Sequence, residues 1–166
     1  MRSLARRPAL DTEPIDNIQH LPASRPREAA GPCFGVHLTL DGYRGSPELL
    51  ADRDHVHARL AELPDRLGMH KLAEPFLVEV GKLGPKDPGG VTGFVIIAES
   101  HISIHTFPLR GFVTADVYTC QNSLDTQAIC AYFTEAFALG DLEVNLVRRG
   151  TRYPQHNIFD SPPTGA

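Results

Sequence analysis

Phe94-Val95-Ile96-Ile97-Ala98-Glu99-Ser100-His101-Ile102-Ser103-Ile104-His105-Thr106-Phe107-Pro108 is the stretch whose reading decides the fold. An apolar run, Phe94 to Ala98, leads straight into a segment crowded with reactive groups. With Cys120 further on, the stretch brings a carboxylate, two serine hydroxyls and a threonine, two imidazoles and a thiol close together in sequence. The apolar run reads as a buried strand over 91–98 and the reactive segment as a second strand over 101–107, with a turn at 108–111. Phe112 to Cys120 alternates and reads as a third strand of the same sheet.

Upstream, Phe34 to Leu40 reads as a strand with Val36, Leu38 and Leu40 on one face and His37 and Thr39 on the other. The turn Asp41-Gly42-Tyr43 is expected to end it. Ser46-Pro47-Glu48 starts a helix with a capping hydroxyl, a proline at the first position and an acid in the first turn. Val56, Leu60, Leu63 and Leu67 continue it, Pro64 bends or splits it, and Gly68 closes it. His55 and His57 read as solvated helix residues. Met69 to Val80 reads as a strand interrupted by Pro75. Residues 81–90, rich in Gly, Pro and Lys, read as an exposed loop without the phosphate-cradling pattern. Downstream, Ile129, Phe133 and Phe137 form one stripe of a helix over 125–137, with Cys130 within it as a small core residue. Gly140 ends that helix and a last strand covers 142–147. The fold class is α+β: a two-layer α/β sandwich with a mainly antiparallel sheet and its helices on one face.

At 166 residues, 42% of them hydrophobic, the chain suffices for one core-forming domain, expected over 33–153. Proline-punctuated residues 1–32 read as a disordered extension and 154–166 as a mobile tail. A net charge of -4 argues against nucleic acid or a membrane surface as partner. No apolar run nears the roughly 20 residues that span a bilayer. The basic N-terminus lacks the apolar core of a secretion signal. Three cysteines fit no disulfide or zinc spacing, so a cytoplasmic location is expected.

Residue types alone leave three chemistries open. A Ser-His pair suits a hydrolase, yet no nucleophile elbow frames Ser100 or Ser103, and Ser100 and His105 have opposite strand parity. His101, His105 and Cys120 suit zinc, yet the histidines are roughly 13 Å apart along a strand. Satisfied strand polars are the third possibility.

The run Ala98 to Pro108, followed by Asp116-Val117-Tyr118-Thr119-Cys120, resembles the prokaryotic S-adenosylmethionine decarboxylases. The likeness extends from Phe34 to Val147 and includes Asp41-Gly42-Tyr43 and Thr92-Gly93. It implies a self-processing zymogen of polyamine and spermidine biosynthesis that cuts itself between Glu99 and Ser100. Ser100 becomes a covalent pyruvoyl group, the only cofactor expected, which forms a Schiff base with the substrate; no metal is expected. By family position His105 is the processing base, Thr92 stands where the family has an assisting serine, and Cys120 is the proton donor in decarboxylation. The resemblance also implies a homodimer of αβ protomers.

Two departures bear on the small-molecule substrate. Leu109 stands where the family carries a ribose-binding glutamate, and the loop 84–90 has no aromatic residue for an adenine. Phe76 or Tyr43 could substitute; Phe107 and Asp41 are further candidates. S-adenosylmethionine remains the expected substrate. L-arginine or L-ornithine is the alternative, its distal cation met by Asp41, Glu79, Asp87 or Asp116. A non-enzymatic alternative is an inactive paralogue that activates a partner decarboxylase.

Overall fold

The computed structural model describes residues 33–158, so the expectation for residues 1–32 lies outside the described residues, as does most of the tail. Strand β1 spans Gly35–Tyr43, helices α1 and α2 span Pro47–Ala51 and Arg53–Arg66, and β2 spans Phe76–Val80. Strands β3 (Gly90–Ile97), β4 (Ser100–Phe107) and β5 (Phe112–Thr119) follow, then α3 (Thr126–Phe137) and β6 (Asp141–Arg149). The strands form one sheet in the order β2-β3-β4-β5-β1-β6, every neighbouring pair antiparallel. The expected α+β sandwich is what forms.

Alternation decides which side of the sheet is buried. Leu38 and Leu40, Val95 and Ile97, Ile102 and Ile104, and Val113 and Val117 face the helices. There they meet Leu50, Val56, Leu60 and Leu63 of α1 and α2, and Ile129, Phe133 and Phe137 of α3. The opposite parity, His37, Thr92, His101, Ser103, His105, Asp116 and Tyr118, lies on the other, open side, and none of these residues is buried.

Several local expectations are corrected. Asp41-Gly42-Tyr43 is not a turn but the end of β1, because it pairs on both sides, with β5 and with β6. The chain turns instead at Arg44, which takes a left-handed φ of 57°. The first helical region breaks at Asp52 rather than at Pro64. The Asp52 N–H closes α1 on the Glu48 carbonyl, and its carboxylate accepts from the N–H groups of Asp54 and His55 to open α2. Pro64 sits buried in the last turn of α2. His55 is not a solvated residue: its Nε2 bonds the Ala136 carbonyl at 2.7 Å and its ring packs edge-on against Phe137, tying α2 to α3. Residues 69–75 form no strand of their own apart from an isolated bridge between Lys71 and Ile97. Ala138, at φ 50°, ends α3 in place of Gly140. Among the described residues no helix is long and apolar enough to cross a membrane.

Candidate active site

Ala98 and Glu99 form the turn of the β3–β4 hairpin, and Ser100 is the first residue of β4, opposite Ile97. The turn is held from outside its own strands. The Ala98 N–H donates to the His70 carbonyl at 2.8 Å and the Leu72 N–H to the Ile96 carbonyl at 3.0 Å. The Glu99 carboxylate accepts from His70 Nδ1 at 2.7 Å and from the His70 backbone N–H at 3.1 Å. These bonds, the His70 side chain first, hold the Glu99 carboxyl below its ordinary titration range.

The peptide bond between Glu99 and Ser100 is the most constrained point of the hairpin. Ser100 has φ 155°, a region that L-residues rarely adopt and that costs on the order of 1–3 kcal/mol. The Glu99 carbonyl oxygen accepts from the Cys120 backbone N–H at 2.9 Å. This is possible because Thr119, the last residue of β5, pairs with Ser100, so Cys120 emerges beside the turn with its side chain exposed. Gly35 of β1 lets that crossing happen: a side chain there would strike the Thr119 carbonyl and the Cys120 Cα.

A polar cluster lies next to Ser100 on the open face. The Ser100 hydroxyl is hydrogen-bonded to His101 Nδ1 at 3.2 Å, and His101 Nε2 lies 3.5 Å from Asp116 Oδ1. Asp116 also accepts from His37 Nε2 at 3.1 Å and from the Ser103 hydroxyl at 2.5 Å. Tyr118 packs against both imidazoles, and the Arg149 guanidinium sits 4.1 Å over its ring.

The other expected site residues are elsewhere. His105 and Thr92, opposite each other across β4 and β3, are hydrogen-bonded at 3.1 Å. They are five residues along the strand from Ser100, about 16 Å at the rise of a β-strand. His101, His105 and Cys120 therefore do not converge, and among the described residues no three His, Cys, Asp or Glu side chains gather to hold a metal ion. Leu109 lies in a 3-10 turn over Pro108–Arg110 and is 81% exposed. Arg110 ties that turn to the 84–90 loop through the Pro85 carbonyl at 2.9 Å. Phe107 packs on Phe112, which packs on Tyr43, and Asp41 pairs in register with Glu143.

A family model described as S-adenosylmethionine decarboxylase matches residues 36–150, which contain all of these residues except Gly35. The chain belongs to the S-adenosylmethionine decarboxylase family. A proenzyme of that name from Pyrococcus abyssi is 34% identical over 117 residues, 70% of this chain and 79% of the relative. Another, from Caldicellulosiruptor saccharolyticus, is 33% identical over 129 residues, 78% and 93% of the two chains. The crystal structure of the adenosylmethionine decarboxylase from Aquifex aeolicus superposes with a TM-score of 0.62 at 25% identity. That match covers 72% of this chain and 93% of the other. Within this family's fold, sequence reasoning missed His70 and the link from His101 through Asp116 to His37. Strand parity already put His37 on the non-core face, but nothing local reveals which strand lies beside which. His70 carries no local signal at all.

Proposed function

We propose that the chain is a self-processing precursor of a pyruvoyl-dependent carboxy-lyase acting on S-adenosylmethionine. The observation that carries this reading is the Glu99–Ser100 peptide: its carbonyl accepts from the Cys120 N–H, and the residue that follows is a serine with a strained backbone. The Ser100 hydroxyl adds to the Glu99 carbonyl carbon, the Cys120 N–H stabilises the oxyanion, and the C–N bond breaks to leave an ester. Removal of the Ser100 α-proton then expels the Glu99 carboxylate. The dehydroalanine left behind hydrolyses, with loss of ammonia, to a pyruvoyl group at the head of β4.

The site fits that group. Residues 101–105 are paired to both neighbouring strands, which would hold β4 in place after the cut, and the His70 bonds to Glu99 would retain the new chain end. Once formed, the pyruvoyl group supplies a carbonyl that takes up the substrate amine and the electrons released with carbon dioxide. The exposed Cys120 thiol, beside that position, returns a proton to the substrate carbon.

His105 removes the Ser100 α-proton, with Thr92 orienting it. At about 16 Å along its own strand it cannot do so within one chain, which supports a homodimer in which a second copy delivers the pair. The open face suits such a partner: Phe76, Phe94 and Ile96 are 59%, 42% and 46% exposed on the β2–β3 side. The aromatic row Phe107–Phe112–Tyr43 would arrive with His105 and offers the adenine a surface. A second reading, decarboxylation of L-arginine or L-ornithine, is favoured by the bare Leu109 and by the adjacent carboxylates of Asp41 and Glu143. Asp116 is the poorer candidate for that task, since His37 and Ser103 already engage it. An inactive paralogue is disfavoured by the intact Glu99–Ser100 geometry. A biosynthetic, cytoplasmic role in spermidine formation follows from the S-adenosylmethionine reading.

Intact-mass measurement of purified protein tests processing: two chains divided between Glu99 and Ser100, the second blocked to Edman degradation, are expected. One uncut chain would reject the mechanism. Carbon dioxide release from S-adenosylmethionine, arginine and ornithine, measured side by side, decides the substrate.

A further inference from the structure

The geometry points to His101, oriented by Asp116, as the base that activates the Ser100 hydroxyl in the first step of self-cleavage. This assignment deepens the self-processing reading and rests on it. It separates the two proton transfers of processing between two histidines: His101 of the same chain for ester formation, and His105 of a second copy for α-proton removal.

The contacts are satisfied by one consistent assignment of protons. Arg149 Nη1 donates to His37 Nδ1 at 3.4 Å, which leaves the His37 Nε2–H to donate to Asp116 Oδ1. The Ser103 hydroxyl fills Asp116 Oδ2. Asp116 is thereby anchored on both oxygens, from β1 and from β4, with its Oδ1 turned toward His101 Nε2. An imidazole whose Nε2–H faces that carboxylate has a free lone pair on Nδ1, and this is the atom that accepts the Ser100 hydroxyl. The arrangement is serine, histidine and aspartate in the order of an activated nucleophile, built from adjacent strand residues rather than from an elbow. Asp116, His37 and Ser103 are positioning residues; only His101 touches the reacting oxygen.

The step balances as an isomerisation. The Ser100 Oγ–H proton passes to His101 Nδ1 as Oγ bonds to the Glu99 carbonyl carbon. Collapse of the adduct breaks the bond from that carbon to the Ser100 nitrogen, and the proton passes from His101 to the departing amine. No further reactant enters. The Cys120 N–H already sits on the oxygen that becomes negative. The groups that face His101 are Asp116 and Tyr118 from β5 and His37 from β1, with Arg149 of β6 behind them. Its β3 neighbour is Ile96, which does not titrate.

The test follows cleavage of freshly purified precursor, with hydroxylamine added to split any ester that has formed. H105A is expected to accumulate hydroxylamine-sensitive ester, because the first step is intact. H101A and H101Q are expected to form ester on the order of 100-fold more slowly, the usual worth of a positioned base. D116N should fall between. Imidazole added to H101A should restore ester formation, which a purely structural loss would not allow; thermal unfolding shows that the variant is folded. Co-expression adds the geometry: an S100A chain should rescue cleavage of H105A but not of H101A. A folded H101A that forms ester at the wild-type rate overturns this assignment alone, as does its rescue by the S100A chain. A wild-type chain that stays whole with serine at 100 overturns the self-processing reading and this assignment with it.

Discussion

Substitution of Gly35 by alanine probes the support of the Glu99 carbonyl, the proposed site of cleavage, without touching any reactive side chain. A Cβ on Gly35 would lie 2.8 Å from the Cys120 Cα and closer still to the Thr119 carbonyl oxygen, both backbone atoms that no rotamer change can move. Restoring an ordinary 3.4 Å separation shifts Cys120 by about 0.6 Å, the difference of the two distances. If that shift carries Cys120 away from the turn, its N–H bond to the Glu99 carbonyl lengthens from 2.9 Å to about 3.5 Å, the edge of a hydrogen bond. Loss of one oxyanion donor costs about 100- to 1000-fold in rate, while overpacking the strand costs about 1–3 kcal/mol of stability. Precursor cleavage, followed by denaturing gel or intact mass, should therefore slow far more than thermal unfolding alone would explain. A folded G35A precursor that cuts itself at the wild-type rate would refute the role given to the Cys120 N–H.

The His70 clamp gives a pH prediction. Its bonds depress the folded-state titration of Glu99 below the unfolded value near 4.5. The pair thus contributes stability above that pH and loses it as pH falls through the lower, folded value. H70A should flatten this acid-side fall in an unfolding series from pH 6 downward; an unchanged curve would show that His70 does not hold Glu99. On the open face, F94D together with I96D should shift a dimer to monomer in analytical ultracentrifugation and suppress precursor cleavage through the loss of the second copy's His105. A monomer that still processes fully would end the two-copy reading. In the helical layer, D125A removes the carboxylate that accepts from the Ala128 N–H at 2.9 Å and should cost about 1 kcal/mol in denaturant unfolding, with cleavage unaffected.

The helical layer also illustrates what local sequence can and cannot carry. The Ser46 and Asp125 caps and the Ile129, Phe133, Phe137 stripe are read from spacing because a helix is made of contacts three and four residues apart. Asp52 makes its capping contacts within four residues, to Glu48, Asp54 and His55, but the continuing Val56, Leu60, Leu63 and Leu67 spacing reads as one helix and hides the break. Asp41-Gly42-Tyr43 has the composition of a turn, but two neighbouring strands claim its backbone and Gly42 fits against Leu139 and Val113. Pairing on both sides outweighs local preference.

By itself the sequence determined which reactive groups lie in what order along the chain, Glu99, Ser100, His105 and Cys120 with Thr92 before them, and the faces of the strands that bear them; the roles proposed for them come from the family resemblance. The period of two makes face a local property, so parity survives without knowledge of the fold. Which groups meet was decided only by the tertiary structure. Strand order and register place Cys120 on the Glu99 carbonyl, Asp116 and His37 behind His101, and His70 on the turn, and they leave His105 too far along its own strand to reach Ser100. Register is set by packing of the buried face against the helices, and a slip of one residue would turn every one of these side chains to the other side.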